Sequence, residues 1–404
     1  MDCITPLPSP FLEQPDRPRV EAAFGDDPYA LARSVLSRWP LSLARGARVL
    51  LKPNAGRVAR VGTGTNTSPQ VVAAAIDAFV DAGAQVSVGD SPIAGVGPLK
   101  ALEASGIAEV VRQRGVRLID LDERPARNIA VPEGQAVHSL KVCADVLEHD
   151  LLVSIPVVKT HMHTVVTLSI KNMKGCLWRR SKVVLHMLPP VVGSDERPLD
   201  HAIADLASVL RPHFSLIDGA LGMQGLGPSA GTPKRLGAVV ASPDGFAADA
   251  LACALMGRRA EDVPHLRLGA ERGLGIIDVP RLHVSPEDWA AHVSPFDAPP
   301  SELSLEIPRV RVMDSKACSA CQSTLMLLLT RHGPSLFDYF PGNDPVTIAI
   351  GKGHSSVEPG TLCLGNCTMM HRKTGLFVPG CPPVVSAVHS VLGHGPDKDD
   401  DQRR

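Results

Sequence analysis

Ala47-Arg-Val-Leu-Leu-Lys52, then Ser68-Pro69 ahead of a periodic run over 70–82, then Gly83 and Gln85-Val-Ser-Val88, read as strand, loop, helix and strand. The apolar run before Lys52 suits a strand covered on both faces. Ser68 is a good N-cap and Pro69 a good first helical residue, and Gly83 stops the helix and feeds the next strand. The alternation continues outward with a helix over 98–114, strands over 116–121 and 151–155, a helix over 201–210, a strand over 214–218, and a further strand and helix over 239–256. Such alternation predicts an α/β fold whose mostly parallel sheet is covered by helices.

Five divisions follow. Residues 1–46 form a Pro-rich N-terminal arm with one helix over 27–39, and 47–284 an α/β substrate-binding domain. Residues 285–308, rich in Pro, Ser and acids, read as a linker. A smaller C-terminal α/β domain covers 309–395, with strands over 309–313 and 346–350 and helices over 322–330 and 384–392. The charged stretch 396–404 is expected to be a disordered tail.

The formal net charge is −1, which gives no sign of a polyanion or membrane surface as a general partner. No apolar run approaches the length of a spanning helix, and the N-terminus lacks a basic-then-apolar leader. Nine cysteines, an odd number, suit a reducing compartment, so a cytoplasmic protein is expected. Of the 41 basic residues only 12 are lysine. Lysines therefore stand out, and Lys52, Lys159, Lys171 and Lys174 all fall in motif-like stretches where a compact, rotatable ammonium is wanted.

Those stretches follow strand ends, where open parallel sheets bind ligands. Lys52-Pro-Asn54 follows the first strand, and Gly62-Thr-Gly-Thr65-Asn66-Thr-Ser68 runs into a helix N-terminus, a plausible anion loop or an ordinary cap. Asp90-Ser91-Pro92 offers a carboxylate and a hydroxyl to the same rim, or simply begins the next helix. Lys159-Thr160-His161-Met-His163 and Lys171-Asn172-Met-Lys174-Gly175 are the most pointed. They have the groups to fix a carboxylate or phosphate and move a proton, with Lys159, His161, Lys171 and Asp218 in the catalytic roles. Lys52, Asn54, Thr65, Asn66, Asp90, Ser91, Thr160, Asn172 and Lys174 are the expected binding groups. Asp218 opens a loop with four glycines before Pro228, which reads as a close-approach loop without a Walker or Rossmann pattern. A metal on His161 and His163 is disfavoured because no carboxylate accompanies them.

Near the C-terminus stand Cys318-Ser-Ala-Cys321, Gly365-Asn-Cys367 and Gly380-Cys381-Pro-Pro383. Four thiolates on separate turns, with glycines for close approach, read as an iron–sulfur site. Zinc is the alternative, disfavoured because the usual short knuckle is not repeated. Cys363 is a spare thiol, for ligand exchange or packing.

This segment resembles the proximal-cluster cradle of nickel–iron hydrogenase small subunits and the related complex I subunit, over about the last ninety residues. The resemblance implies Cys318, Cys321, Cys367 and Cys381 as ligands of a [4Fe-4S] cluster. Separately, Lys52-Pro-Asn54, Gly89-Asp-Ser-Pro92, Lys159-Thr-His161, 169–175 and Asp218-Gly219 are similar to the family catalogued as domain of unknown function 362, over about 47–260. That family implies a fold and a site but no established reaction. Its members often carry cluster-binding segments, although the ferredoxin Cys-x-x-Cys-x-x-Cys run is missing here.

Three functions are compatible with these readings. The first is an oxygen-sensitive, [4Fe-4S]-dependent oxidoreductase whose small anionic substrate lies between the lysine loops and the cluster, served by an external electron donor such as a ferredoxin or flavodoxin. The second is a lyase or hydratase using an open iron as Lewis acid. The third is an electron carrier or cluster-handling protein. No nucleic acid and no membrane are expected as partners, and a homodimer is left open.

Overall fold

A computed structural model of the chain describes residues 8–93, 95–228, 231–298, 308–317, 319–340, 342, 344–380, 382–383 and 385–392. The chain divides into two compact units, Met1–Pro299 and Pro300–Arg404. In the first unit the strands are β1 (Arg19–Phe24), β2 (Arg48–Pro53), β3 (Gln85–Asp90), β4 (Arg117–Asp120), β5 (Arg127–Ala130), β6 (Ser139–Val142), β7 (Leu151–Ile155), β8 (Val157–His161), β9 (Val165–Thr167), β10 (Phe214–Gln224), β11 (Thr232–Lys234), β12 (Ala238–Ser242) and β13 (His283–Ser285).

The main sheet runs β13-β1-β12-β10-β7-β2-β3-β4. Its centre, from β10 to β4, is parallel, while β12 lies antiparallel to both β10 and β1. Successive residues of β2 and β7 face opposite sides, so Val49, Leu51 and Val153 join one core and Leu50 and Leu152 the other. Helices Pro28–Leu36 and Pro69–Asp81 cover the first face. Helices Pro198–Val209 and Gly245–Leu255 cover the second. In the first core Phe214 meets Phe11, Trp39 and Phe79 edge-on. Full burial of a side chain such as Phe79 stabilises by roughly 1.5–3 kcal/mol.

The α/β architecture, with a large mostly parallel sheet flanked by helices, is the one the alternation predicts. Several details differ from the sequence reading. The helix over 98–114 is two, Pro98–Ala104 and Ile107–Gln113, because Gly106 turns left-handed at φ 74°. The strand that was to end at Asp218 continues to Gln224, pairing with β8 and β11 past an irregularity in register. The N-terminal arm is not outside the sheet: β1 lies between β12 and β13, burying Val20 and Ala22. The expected linker also begins too early. β13 pairs with β1, and the Ser294 and Phe296 N–H groups donate to Leu255 and Met256, with Phe296 buried.

The second unit is a parallel four-stranded sheet in the order β14 (Val310–Asp314), β15 (Val346–Ile350), β16 (Leu362–Leu364), β17 (Leu376–Val378). Leu325, Leu328, Ile348, Leu362 and Val388 contribute to its own core. Its first helix, Ser319–His332, starts earlier than expected and takes Cys321 into its first turn. Cys318, Cys381, the tail 396–404 and most of 299–308 lie outside the described residues. Among the described residues no helix is long and apolar enough to cross a membrane.

Candidate functional site

Parallel pairing sets the ends of β2, β3 and β7 side by side, and β8 continues from the end of β7. Lys52 and Asp90 therefore face one another, and Lys159 projects from β8. The short turns Ser169–Asn172 and Met173–Cys176 bring Lys171, Asn172 and Lys174 to the same place. Asp249 anchors them by accepting from the Ser169 and Ile170 N–H groups at 2.7 and 2.9 Å. Lys52, Asp90, Lys159, Lys171 and Asn172, with His161, are buried, and Lys174 is half-buried.

An ammonium has three donors, and counting their partners separates the lysines. Lys52 Nζ lies 2.7 Å from Asp90 Oδ1 and donates to Asn172 Oδ1 at 3.0 Å and the Pro53 carbonyl at 3.1 Å. It is saturated from within. The pair is packed so closely that a Cβ on Gly175 would lie 2.5 Å from both Lys52 Nζ and Asp90 Oδ1. Lys159 donates to Asn54 Oδ1 and the Thr65 carbonyl, both at 2.7 Å. Lys171, among the described residues, donates only to Thr167 Oγ1 at 3.2 Å, and Lys174 meets only His186 Nε2 at 2.7 Å. Donors are left over at Lys171 and Lys174.

Electrostatics point the same way. Burial, with Arg57 nearby, pushes the Lys159 ammonium down to about 7. Burial, with Lys182 nearby, does the same to Lys174, also to about 7. Lys171 is driven well below the usual lysine range by burial and then by Lys174 and Lys159. Asp200 partly offsets Lys171 and Lys174, and its Oδ1 lies 3.4 Å from His265 Nδ1. His161 is held neutral by burial and by Lys171. Its Nδ1 accepts from the His163 N–H at 3.1 Å, which leaves the ring proton on Nε2 as another donor. An enclosed set of donors with too few acceptors is built to receive an anion.

Other expected site residues serve the scaffold around this cluster. Both Asp218 oxygens are engaged, one by the Ser68 N–H at 2.7 Å and one by the Ala220 N–H at 3.0 Å. Burial raises its carboxyl to about 6. The helix start that looked free for a ligand anion is thus met by the protein's own carboxylate. Thr160 Oγ1 donates to the Gly225 carbonyl, and Asn66 Nδ2 to the Arg57 carbonyl. Thr65 gives its carbonyl to Lys159, and Ser91 Oγ donates to Asp122 Oδ1 at 2.7 Å. The close-approach reading of the glycines holds at three of the four: a Cβ would lie 2.8 Å from the Ala238 carbonyl oxygen at Gly219, 2.4 Å from that of Val158 at Gly222, and 1.9 Å from that of Thr160 at Gly227.

Lys182, His186 and Arg197 were not anticipated. Lys182 donates to the Ser91 carbonyl and hydroxyl, and Arg197 Nη1 lies 2.9 Å from His163 Nδ1. The scarcity of lysine could have flagged Lys182; no motif surrounds His186 or Arg197.

In the second unit, the Gly365 N–H donates to Val378, the Asn366 N–H to the Gly380 carbonyl, and the Gly380 N–H back to Asn366 Oδ1. The turns that precede Cys367 and Cys381 are therefore tied together. A Cβ on Gly365 would lie 3.0 Å from Cys321 Sγ, so the glycine keeps space beside that thiol. Two of the four thiols are outside the described residues, and among the described ones no group of three metal-ligating side chains occurs. Cys321 is buried and Cys367 exposed, while Cys363 is buried in β16 against Gly375.

A family model described as "Domain of unknown function (DUF362)" matches residues 49–254, about half of the chain. A thylakoid-associated protein of Synechocystis is 30% identical over 204 residues, covering 50% of this chain and 61% of that protein. A structure of lactate racemase apoprotein from Thermoanaerobacterium thermosaccharolyticum is similar with a TM-score of 0.40 and 14% identity, covering 64% of this chain and 59% of that one. The chain spans less than two thirds of the length of either protein.

Proposed function

The chain belongs to the family described as domain of unknown function 362, and from the site its strand ends build we propose an iron–sulfur oxidoreductase acting on a small carboxylate- or phosphate-bearing anion. The observation that carries this reading is the surplus of buried donors at Lys171, Lys174 and His161. An anion there supplies acceptors and countercharge together, and exclusion of water strengthens each contact. Lys171 and Lys174 bind and orient it. His161, neutral with its proton on Nε2, gives or takes a proton at the bound group. Lys52, Asp90 and Asn172 hold the floor rigid, and Lys159 fixes the loop through Thr65.

Cys318, Cys321, Cys367 and Cys381 are the residues that would hold a [4Fe-4S] cluster, which supplies one-electron transfer when bound. An external donor such as a ferredoxin or flavodoxin provides the electrons, and the cysteine usage suits the reducing cytoplasm.

Anaerobic purification with iron, sulfide and zinc analysis and EPR tests the cluster. About four irons with a signal at S = 1/2 on reduction are expected. Zinc without iron would overturn the redox reading, and a three-iron signal on mild oxidation would replace it with the lyase. Lys171→Ala should abolish turnover while leaving the cluster spectrum intact.

A further inference from the structure

Between Trp178 and Arg197 the chain leaves the sheet and returns. Its ends are anchored: the Trp178 N–H donates to the Lys141 carbonyl, and Arg197 is the N-cap residue of helix Pro198–Val209. Between them the backbone hydrogen bonds are local, from Ser181 to Trp178, Val183 to Arg180, His186 to Val183, Met187 to Val184 and Ser194 to Val191. The segment is held to the rest largely by side chains. Lys182 donates to Ser91 at the end of β3, His186 meets Lys174, Arg197 meets His163, and Ser194 Oγ lies 2.7 Å from His201 Nε2.

Two faces are distinct. Lys182, Leu185 and His186 turn inward, with Lys182 and Leu185 buried, whereas Val184, Met187 and Val192 are exposed, Val192 completely. An open cleft of about 600 Å³ is lined by Pro189–Ser194 together with Gln135, Ala136 and His201. A stretch with local backbone bonds, an open cleft along its second half and basic groups aimed at the lysine site has the makings of a cover that opens.

We propose that residues 178–197 form a lid over the lysine site, and that Lys182, His186 and Arg197 close on a bound phosphate- or carboxylate-bearing anion. The inference rests on the anion-site reading above. Lys182 of the lid and Lys174 of the floor repel one another, while His186 lies 2.7 Å from Lys174. An anion between them turns that opposition into shared attraction, so binding and closure are one event.

Hydrogen–deuterium exchange of the full chain, with and without inorganic phosphate and separately oxalate, tests this beside isothermal titration of the same anions. With either anion the amides of 179–196 should exchange about tenfold or more slowly, and those of β2 and β7 should hardly change. His186→Ala, checked for native circular dichroism, should weaken binding about tenfold and lose most of that protection. Binding by the wild type without altered exchange in 179–196 overturns the lid and leaves the anion site standing. Failure of both anions to bind overturns the anion site, and the lid with it.

Discussion

Lys52 and Lys171 show how two buried lysines in one cluster come to differ. Lys52 has a carboxylate, an amide oxygen and a carbonyl; Lys171 has one hydroxyl. Removing one member of a buried ion pair strands the other, so Asp90→Asn should destabilise the fold by about 3–5 kcal/mol in chemical denaturation. Lys171→Ala should cost little stability, because burial disfavours its ammonium and it donates to one hydroxyl only, while abolishing anion binding by titration. The pH dependence has a definite sign. The folded-state values of Lys159 and Lys174, about 7, lie below those of the unfolded chain. Between about pH 7 and 10 the unfolded chain holds protons that the folded one lacks, so stability of the ligand-free protein should rise with pH across that window in urea titrations. The lysines were visible in the sequence through their scarcity. That Asp218 is used up was not, because its partner Ser68 lies 150 positions away.

At the scale of elements, β2, β3 and β7 were legible because both faces of their apolar residues are buried and flanking caps mark the helices between them. β1 and β13 were not. β13 is a three-residue edge strand, and β1 carries Glu21, which is accommodated by Arg19 and Arg38 at 2.6 and 2.7 Å. Nor was the extension of β10, whose Gly-rich composition reads as loop; what makes it strand is the closeness of β8, to which only glycine gives access. Gly222→Ala sets a methyl against the Val158 carbonyl and should destabilise by about 1–3 kcal/mol, measured by thermal melting. The lid was illegible for a related reason: its inward residues are chosen by tertiary contacts with Ser91, Lys174 and His163, with no repeating pattern long enough to announce them.

For the molecule as a whole, the division into two units parallels a division of chemistry, with convergent lysines in the first and cysteine loops in the second. The sequence marked the second unit by cysteine spacing, and the glycine contacts supply a physical reason for the residues around those thiols. Cys321→Ser should remove the iron measured after anaerobic purification, and Cys363→Ser, in the packed β16 strand, should retain it. The central claim concerns the first unit and is that its buried donors receive an anion. Titration calorimetry of phosphate and oxalate binding at pH 6, 7.5 and 9, in buffers of different ionisation enthalpy, tests it most directly. The account predicts binding that takes up protons near pH 7.5 and weakens as pH rises, because the anion returns Lys174 to its charged form. Binding independent of pH and unchanged in Lys171→Ala, or no binding of either anion at any pH, would contradict it.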